Sequence, residues 1–147
     1  MAICFADFQC FFTTHAANKK LLDCHECPDL INIKADISEY AFLQSIFTKY
    51  KPRAIFHFAA ESHVDRSNSS PGQIVKTNIN CAYLLLQSAL HFYETEVQNF
   101  IFVHISSDEV YGSLGPQDDA FHENSPYNPN SLYGASKAAA DHLVSIF

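Results

Sequence analysis

Ala54-Ile55-Phe56-His57-Phe58-Ala59-Ala60 is a continuous apolar run interrupted only by one histidine. A run of this length without polar alternation is the pattern of a strand covered on both faces, as in a parallel sheet. Upstream, Leu30–Ala35 alternates like a short strand. Ser38 then stands as the N-cap of a helix whose Phe42, Leu43, Ile46, Phe47 and Tyr50 share one face, and Lys51-Pro52 ends it. Downstream, the spacing predicts a helix from about Ile74 to Tyr93, with Ile79, Ala82, Tyr83, Leu86, Ala89, Leu90 and Tyr93 as its apolar face. Asn99–Ser106 reads as a second buried strand. A loop rich in glycine, proline, asparagine and aspartate covers Gly112 to Asn130, and Ser131–Phe147 is an alanine-rich helix. The order strand–helix–strand–helix–strand–loop–helix predicts an α/β fold, a parallel sheet with helices on both faces. Ligands of such sheets gather beyond the carboxyl ends of the strands, where Ala59–Ser67 and Ser106–Tyr111 fall.

The chain has 147 residues, 48% of them apolar and 17% charged. That composition supports a buried core and argues against general disorder. A net charge of −7 with no basic run excludes a nucleic-acid binder or a binder of anionic membranes. No apolar run approaches the length of a membrane span, and Met1–Phe12 carries Asp7 and no basic start, unlike a signal peptide. The four glycines, Gly72, Gly112, Gly115 and Gly134, form no glycine-rich phosphate cradle.

Cys4, Cys10, Cys24, Cys27 and Cys81 are odd in number and read as reduced thiols of a cytoplasmic protein. Cys24-His25-Glu26-Cys27 is a lone C-x-x-C, whereas a structural zinc site takes four ligands, so no metal site is assigned.

Three clusters can carry chemistry. Tyr133 and Lys137 stand four apart, on one face of the last helix, where a lysine charge would lower the tyrosine pKa toward use as a base. The same spacing also suits an ordinary surface pair. Ser107-Asp108-Glu109 follows a strand directly, and adjacent carboxylates in different environments can divide acid and base roles. A solvated turn accounts for them equally. Ala59-Ala60-Glu61-Ser62-His63 places small residues where a flat ligand can approach, although His63 also suits a loop.

Phe56-His57-Phe58-Ala59-Ala60-Glu61-Ser62-His63-Val64-Asp65-Arg66-Ser67 resembles the bacterial dTDP-glucose 4,6-dehydratases. So do Lys76-Thr77-Asn78-Ile79, Ile105-Ser106-Ser107-Asp108-Glu109-Val110-Tyr111-Gly112 and Ser131-Leu132-Tyr133-Gly134-Ala135-Ser136-Lys137. These enzymes belong to the extended short-chain dehydrogenase/reductase group. The resemblance runs in order from about Asp29 to Phe147 and implies a Rossmann-like parallel sheet flanked by helices.

It further implies NAD as cofactor, dTDP-glucose as substrate and a 4-keto-6-deoxy sugar nucleotide as product. Tyr133 would take the proton of the sugar C4 hydroxyl, and Lys137 would hold the nicotinamide ribose. Ser107, where the family usually has threonine, would bond the C4 oxygen. Glu109 would remove the C5 proton, and Asp108 would protonate the departing C6 hydroxyl. Asp36 and Ile37 match adenine-binding positions. Phe58, Ala59, Ala60, Ser62 and Thr77 match positions along the dinucleotide, with Ser62 also near the sugar. Homodimers in this group form through the two helices that match Ile74–Tyr93 and Ser131–Phe147.

The sequence also departs from the pattern. The family's Gly-x-x-Gly-x-x-Gly turn is absent, and no carboxylate stands where the adenine ribose would be bound, near Phe11. The chain is therefore expected to be an internal piece of a dehydratase, truncated at both ends. A divergent segment would cover 1–28 and a partial NAD-binding domain 29–147. Alone it is expected to be inactive. The rival readings are another nucleotide-sugar epimerase, dehydratase or decarboxylase of the group, and a non-catalytic piece that docks on a full-length partner. Asp108 and Glu109 favour the dehydratase.

Overall fold

β4 (Ala54–His57) is the middle strand of a three-stranded sheet, between β1 (Ile3–Ala6) and β5 (Ile101–His104). The computed structural model describes residues 3–6, 9–11, 30–33, 35–62, 71–96 and 99–147. β4 and β5 run parallel, with Ala54 opposite Ile101 and His57 opposite His104. That register brings the two histidine rings together, Nδ1 to Nδ1 at 2.9 Å. β2 (Gln9–Phe11) and β3 (Leu30–Asn32) pair in parallel as a second sheet. β1 is the exception to the expected parallel order: it runs antiparallel to β4, Ile3 opposite His57. Strand direction follows from the path of the chain rather than from apolar pattern, and an antiparallel edge on a parallel sheet is common in α/β folds.

Two compact units make up the chain, Met1–Ala59 with Leu84–Ile105 and Ala60–Tyr83 with Ser106–Phe147. In the first, α1 (Tyr40–Tyr50) buries Leu43, Ile46 and Phe47, the face its spacing predicts. Phe47 lies 5.3 Å from Phe92 and 6.2 Å from Phe100 between ring centroids, and Phe92 lies 5.7 Å from Phe100. Tilted and edge-on aromatic pairs add about 0.5–1.5 kcal/mol each beyond the area they bury. Ser38 does not cap α1. Asp36 Oδ1 accepts from Ser38 N at 2.9 Å, an aspartate turn that occupies this stretch, and Glu39 takes the cap position without a side-chain bond. β5 is not buried on both faces as predicted, and Ile101 is 59% exposed. Among the described residues it has a neighbour on one side only, so half of its environment is open.

The long helix begins earlier than its apolar spacing suggests. α2 (Pro71–Ile74) leads into a π-helical turn, Val75–Asn80, and then α3 (Cys81–Thr95). Its buried positions are Ile74, Asn78, Cys81, Ala82, Leu85, Leu86, Ser88, Ala89 and Phe92. Tyr83 and Tyr93, expected on the apolar face, are exposed. Tyr83 points away from the buried arc, and Tyr93 sits in the last turn.

In the second unit a 3-10 helix, Asp108–Tyr111, precedes a long loop and α4 (Leu132–Val144). Ser131 caps α4, its Oγ accepting from Gly134 N at 2.9 Å. The loop is tied at Gly112, whose φ of +97° and 2.5 Å separation between an added Cβ and Asn128 O admit no side chain. Tyr111 stacks near Phe121 and Tyr127, at 5.2 and 5.4 Å. Among the described residues no helix is long and apolar enough to cross a membrane.

Candidate active site

The second unit brings Ser107, Asp108, Glu109, Tyr133 and Lys137 onto two adjoining elements. Ser107 is extended, with φ −150°, and its Oγ accepts from Glu109 N at 3.3 Å, so it caps the 3-10 helix. Buried Val110 anchors that short helix, leaving Asp108 exposed and Glu109 half-buried. Glu109 Oε2 accepts from Ser131 Oγ at 2.8 Å. α4 comes close because residue 134 is glycine: a Cβ there would lie 2.6 Å from Glu109 O.

Tyr133 is half-buried, and the Ser107 hydroxyl lies near enough to bear on its phenol, while Ser107 Oγ itself donates to Asp108 Oδ1 at 3.4 Å. Burial raises the phenol pKa, the Ser107 hydroxyl pulls it down, and the charges of Glu109 and Asp108 raise it again. The net direction is upward, which corrects the expectation that Lys137 lowers it. Lys137 is itself 2% exposed, and burial depresses its own pKa against the opposing charge of Asp141. A half-buried phenol beside a hydroxyl, with one exposed and one half-buried carboxylate nearby, is a set of groups able to move protons in several directions.

Three supporting residues were not singled out by sequence. Asn78 binds both backbone groups of Glu61: its Oδ1 accepts from Glu61 N at 2.7 Å, and its Nδ2 donates to Glu61 O at 3.1 Å and to Ser136 Oγ at 2.8 Å. Asp141 accepts from Ser106 Oγ and from the Tyr127 hydroxyl, the latter at 3.0 Å. Ser131, quoted only within the α4 motif, joins the cap of α4 to Glu109. A polar residue at 78, in register with buried Cys81, Ala82 and Leu85, was the available signal for Asn78.

Of the other predicted positions, Thr77, Ala60 and Ser62 lie in the second unit. Thr77 Oγ1 accepts from Gln73 Nε2 at 3.0 Å, Ala60 is half-buried and Ser62 exposed. Asp36, Ile37, Phe58 and Ala59 lie in the first unit. There Ile37 and Ala59 are buried, while Asp36 is exposed and Phe58 is 52% exposed. His63 through Ser67, Cys24 and Cys27 lie outside the described residues. Among the described residues no group of three histidine, cysteine or acidic side chains is placed to hold a metal.

The family model for GDP-mannose 4,6 dehydratase matches residues 8–147. The chain belongs to this family. Among its relatives, the dTDP-glucose 4,6-dehydratase of Haemophilus influenzae is 46% identical over 136 residues, covering 89% of this chain and 40% of the relative. That of Neisseria meningitidis serogroup B is 44% identical, covering 89% and 38%. The chain thus spans about 40% of the length of the curated relatives it matches. Among solved structures, DesIV, a dTDP-glucose 4,6-dehydratase from Streptomyces venezuelae with NAD and TYD bound, superposes with TM-score 0.78 at 36% identity, covering 90% of this chain and 39% of that one. UDP-glucose 4-epimerase from Brucella ovis in complex with NAD gives TM-score 0.70 at 26% identity, covering 80% and 34%. The α/β fold with a Rossmann-like sheet is therefore that of the family's nucleotide-sugar dehydratases and epimerases.

Proposed function

We propose that the chain carries the proton-transfer machinery of an NAD-dependent dTDP-glucose 4,6-dehydratase. The observation that carries this reading is that the 3-10 helix bearing Asp108 and Glu109, capped by Ser107, is joined to the start of the Tyr133 helix by the Ser131–Glu109 hydrogen bond. An epimerase does not require the acid–base pair at 108 and 109, because no water is lost from its substrate.

The residues fit NAD in part. Tyr133 and Lys137 on one face of α4 suit the hydroxyls of a ribose, with Thr77 and Ser62 as further polar groups. No glycine precedes Gly72, so the chain offers no glycine-rich turn for the pyrophosphate. Bound NAD would accept hydride from the sugar C4 and return it at C6. Tyr133 takes the proton of the C4 hydroxyl, and Ser107 donates a hydrogen bond to the C4 oxygen. The resulting C4 ketone acidifies C5, from which Glu109 removes the proton. Asp108, exposed and able to exchange protons with solvent, protonates the C6 hydroxyl, which departs as water. A second copy of the chain is the proposed partner, docking on α3 and α4, and the compartment is the cytoplasm.

The acid–base part is testable without the cofactor. Given dTDP-4-keto-6-deoxyglucose in heavy water, the chain should exchange the C5 hydrogen for deuterium, and Glu109→Gln should slow this by about 100-fold or more. Exchange no faster than in buffer would overturn the reading. Complete turnover of dTDP-glucose with NAD is expected to be absent or weak. Any product seen should vanish in Tyr133→Phe.

A further inference from the structure

We propose that Ser131 is a positioning residue for Glu109, holding its carboxylate by one oxygen and leaving the other for proton transfer. The inference rests on the proposed role of Glu109 as base. A serine hydroxyl has one hydrogen and two acceptor lone pairs. Here the acceptor side is taken by Gly134 N at 2.9 Å, the cap of α4, and Glu109 Oε2 lies 2.8 Å away to receive the hydrogen. The two bonds therefore do not compete. The contact is also held in place by the backbone. At Gly134 an added Cβ would meet Glu109 O at 2.6 Å and Ser131 Oγ at 3.1 Å, so the start of α4 and the Glu109 backbone are fixed at close range.

A bond to Oε2 fixes the rotation of the carboxylate and directs Oε1 in one way only. Proton abstraction from carbon depends on such alignment. Because α4 also carries Tyr133, Ser131 ties the orientation of the C5 base to the helix that holds the C4 base.

A cap serving helix stability alone would give a different result on mutation. Ser131→Gly removes the hydroxyl while keeping a residue that starts helices well, and Ser131→Thr keeps both hydroxyl and cap. In the full chain with carbon-13 glutamate, the antisymmetric carboxylate stretch of Glu109, isolated by difference against Glu109→Gln, should shift in Ser131→Gly and stay in place in Ser131→Thr. C5 deuterium exchange should fall about tenfold in Ser131→Gly at saturating ketosugar, with half-saturation unchanged, and recover in Ser131→Thr. Ser131→Ala serves as a second hydroxyl-free variant should Ser131→Gly unfold. An unshifted band in a folded hydroxyl-free variant, or a shifted band with undiminished exchange, would overturn the proposal. A parent chain without any exchange would defeat the base role of Glu109, and the infrared band would then decide the contact separately.

Discussion

Asn78 Nδ2 donates to Ser136 Oγ at 2.8 Å, and each of the two residues is only 2% exposed. The same asparagine satisfies the N–H and C=O of Glu61, so one side chain completes backbone that no sheet or helix serves. Asn78→Ala would leave buried polar groups without partners. It should destabilise the chain by about 3 kcal/mol, read by urea unfolding, and Ser136→Ala by about 1 kcal/mol. Equal stability of Asn78→Ala and the parent would contradict the account.

Tyr127 is the phenol most displaced from its ordinary range. Partial burial, the hydrogen bond to Asp141, the Asp141 charge and the Tyr111 charge push it up to about 12. In an ultraviolet phenolate titration, Tyr127→Phe should delete the last step, and Asp141→Asn should move that step down. The folded state holds this proton more tightly than the unfolded chain. Its contribution to stability is therefore whole below pH about 10 and is lost as pH climbs toward 12.

Ser107 acts against the burial of Tyr133. Removing its hydroxyl in Ser107→Ala should raise the Tyr133 midpoint, identified by comparison with Tyr133→Phe. Stability contributed by this raised phenol is likewise present below pH about 10 and fades above it. A midpoint unchanged by Ser107→Ala would remove Ser107 from the electrostatics of the site.

α1 and α4 were legible because their signals are local. Leu43, Ile46 and Phe47 repeat at helical spacing, and α4 falls within the alanine-rich run that begins at Ser131. The placement of Ser107, Asp108 and Glu109 after a strand was legible for the same reason. What was missed depends on partners distant in sequence. Asn78 reads as one more helical polar residue until Glu61 and Ser136 are beside it, and the direction of β1 is set by its pairing with β4. Ser38 failed as a cap because Asp36, two residues earlier, bonds its amide first.

Ser88 is fully buried in α3, and among the described residues its hydroxyl has no hydrogen-bond partner. Ser88→Ala removes an unsatisfied group without opening a cavity of consequence. It should raise stability by about 1 kcal/mol in the same urea experiment. A loss of stability would point to a bond formed by that hydroxyl.

NAD affinity should be poor, because no residue before Gly72 is a glycine and the pyrophosphate has no cradle of backbone amides within the chain. Isothermal titration is expected to give no binding in the micromolar range. A micromolar dissociation constant would mean that other residues hold the pyrophosphate.

The π-helical turn Val75–Asn80 bears on which genetic changes the chain can tolerate. Cys81 N–H reaches back five residues to Lys76 O, so this turn holds one residue more than an α-helical turn would. A single-codon deletion between 75 and 80 would let the segment close as an ordinary helix. Because the π turn already holds the extra residue, the helices on either side would keep nearly the same phase. Length at this point is thus less constrained than residue identity: an in-frame loss of Val75, whose own side chain is exposed, should be less damaging than replacing buried Asn78.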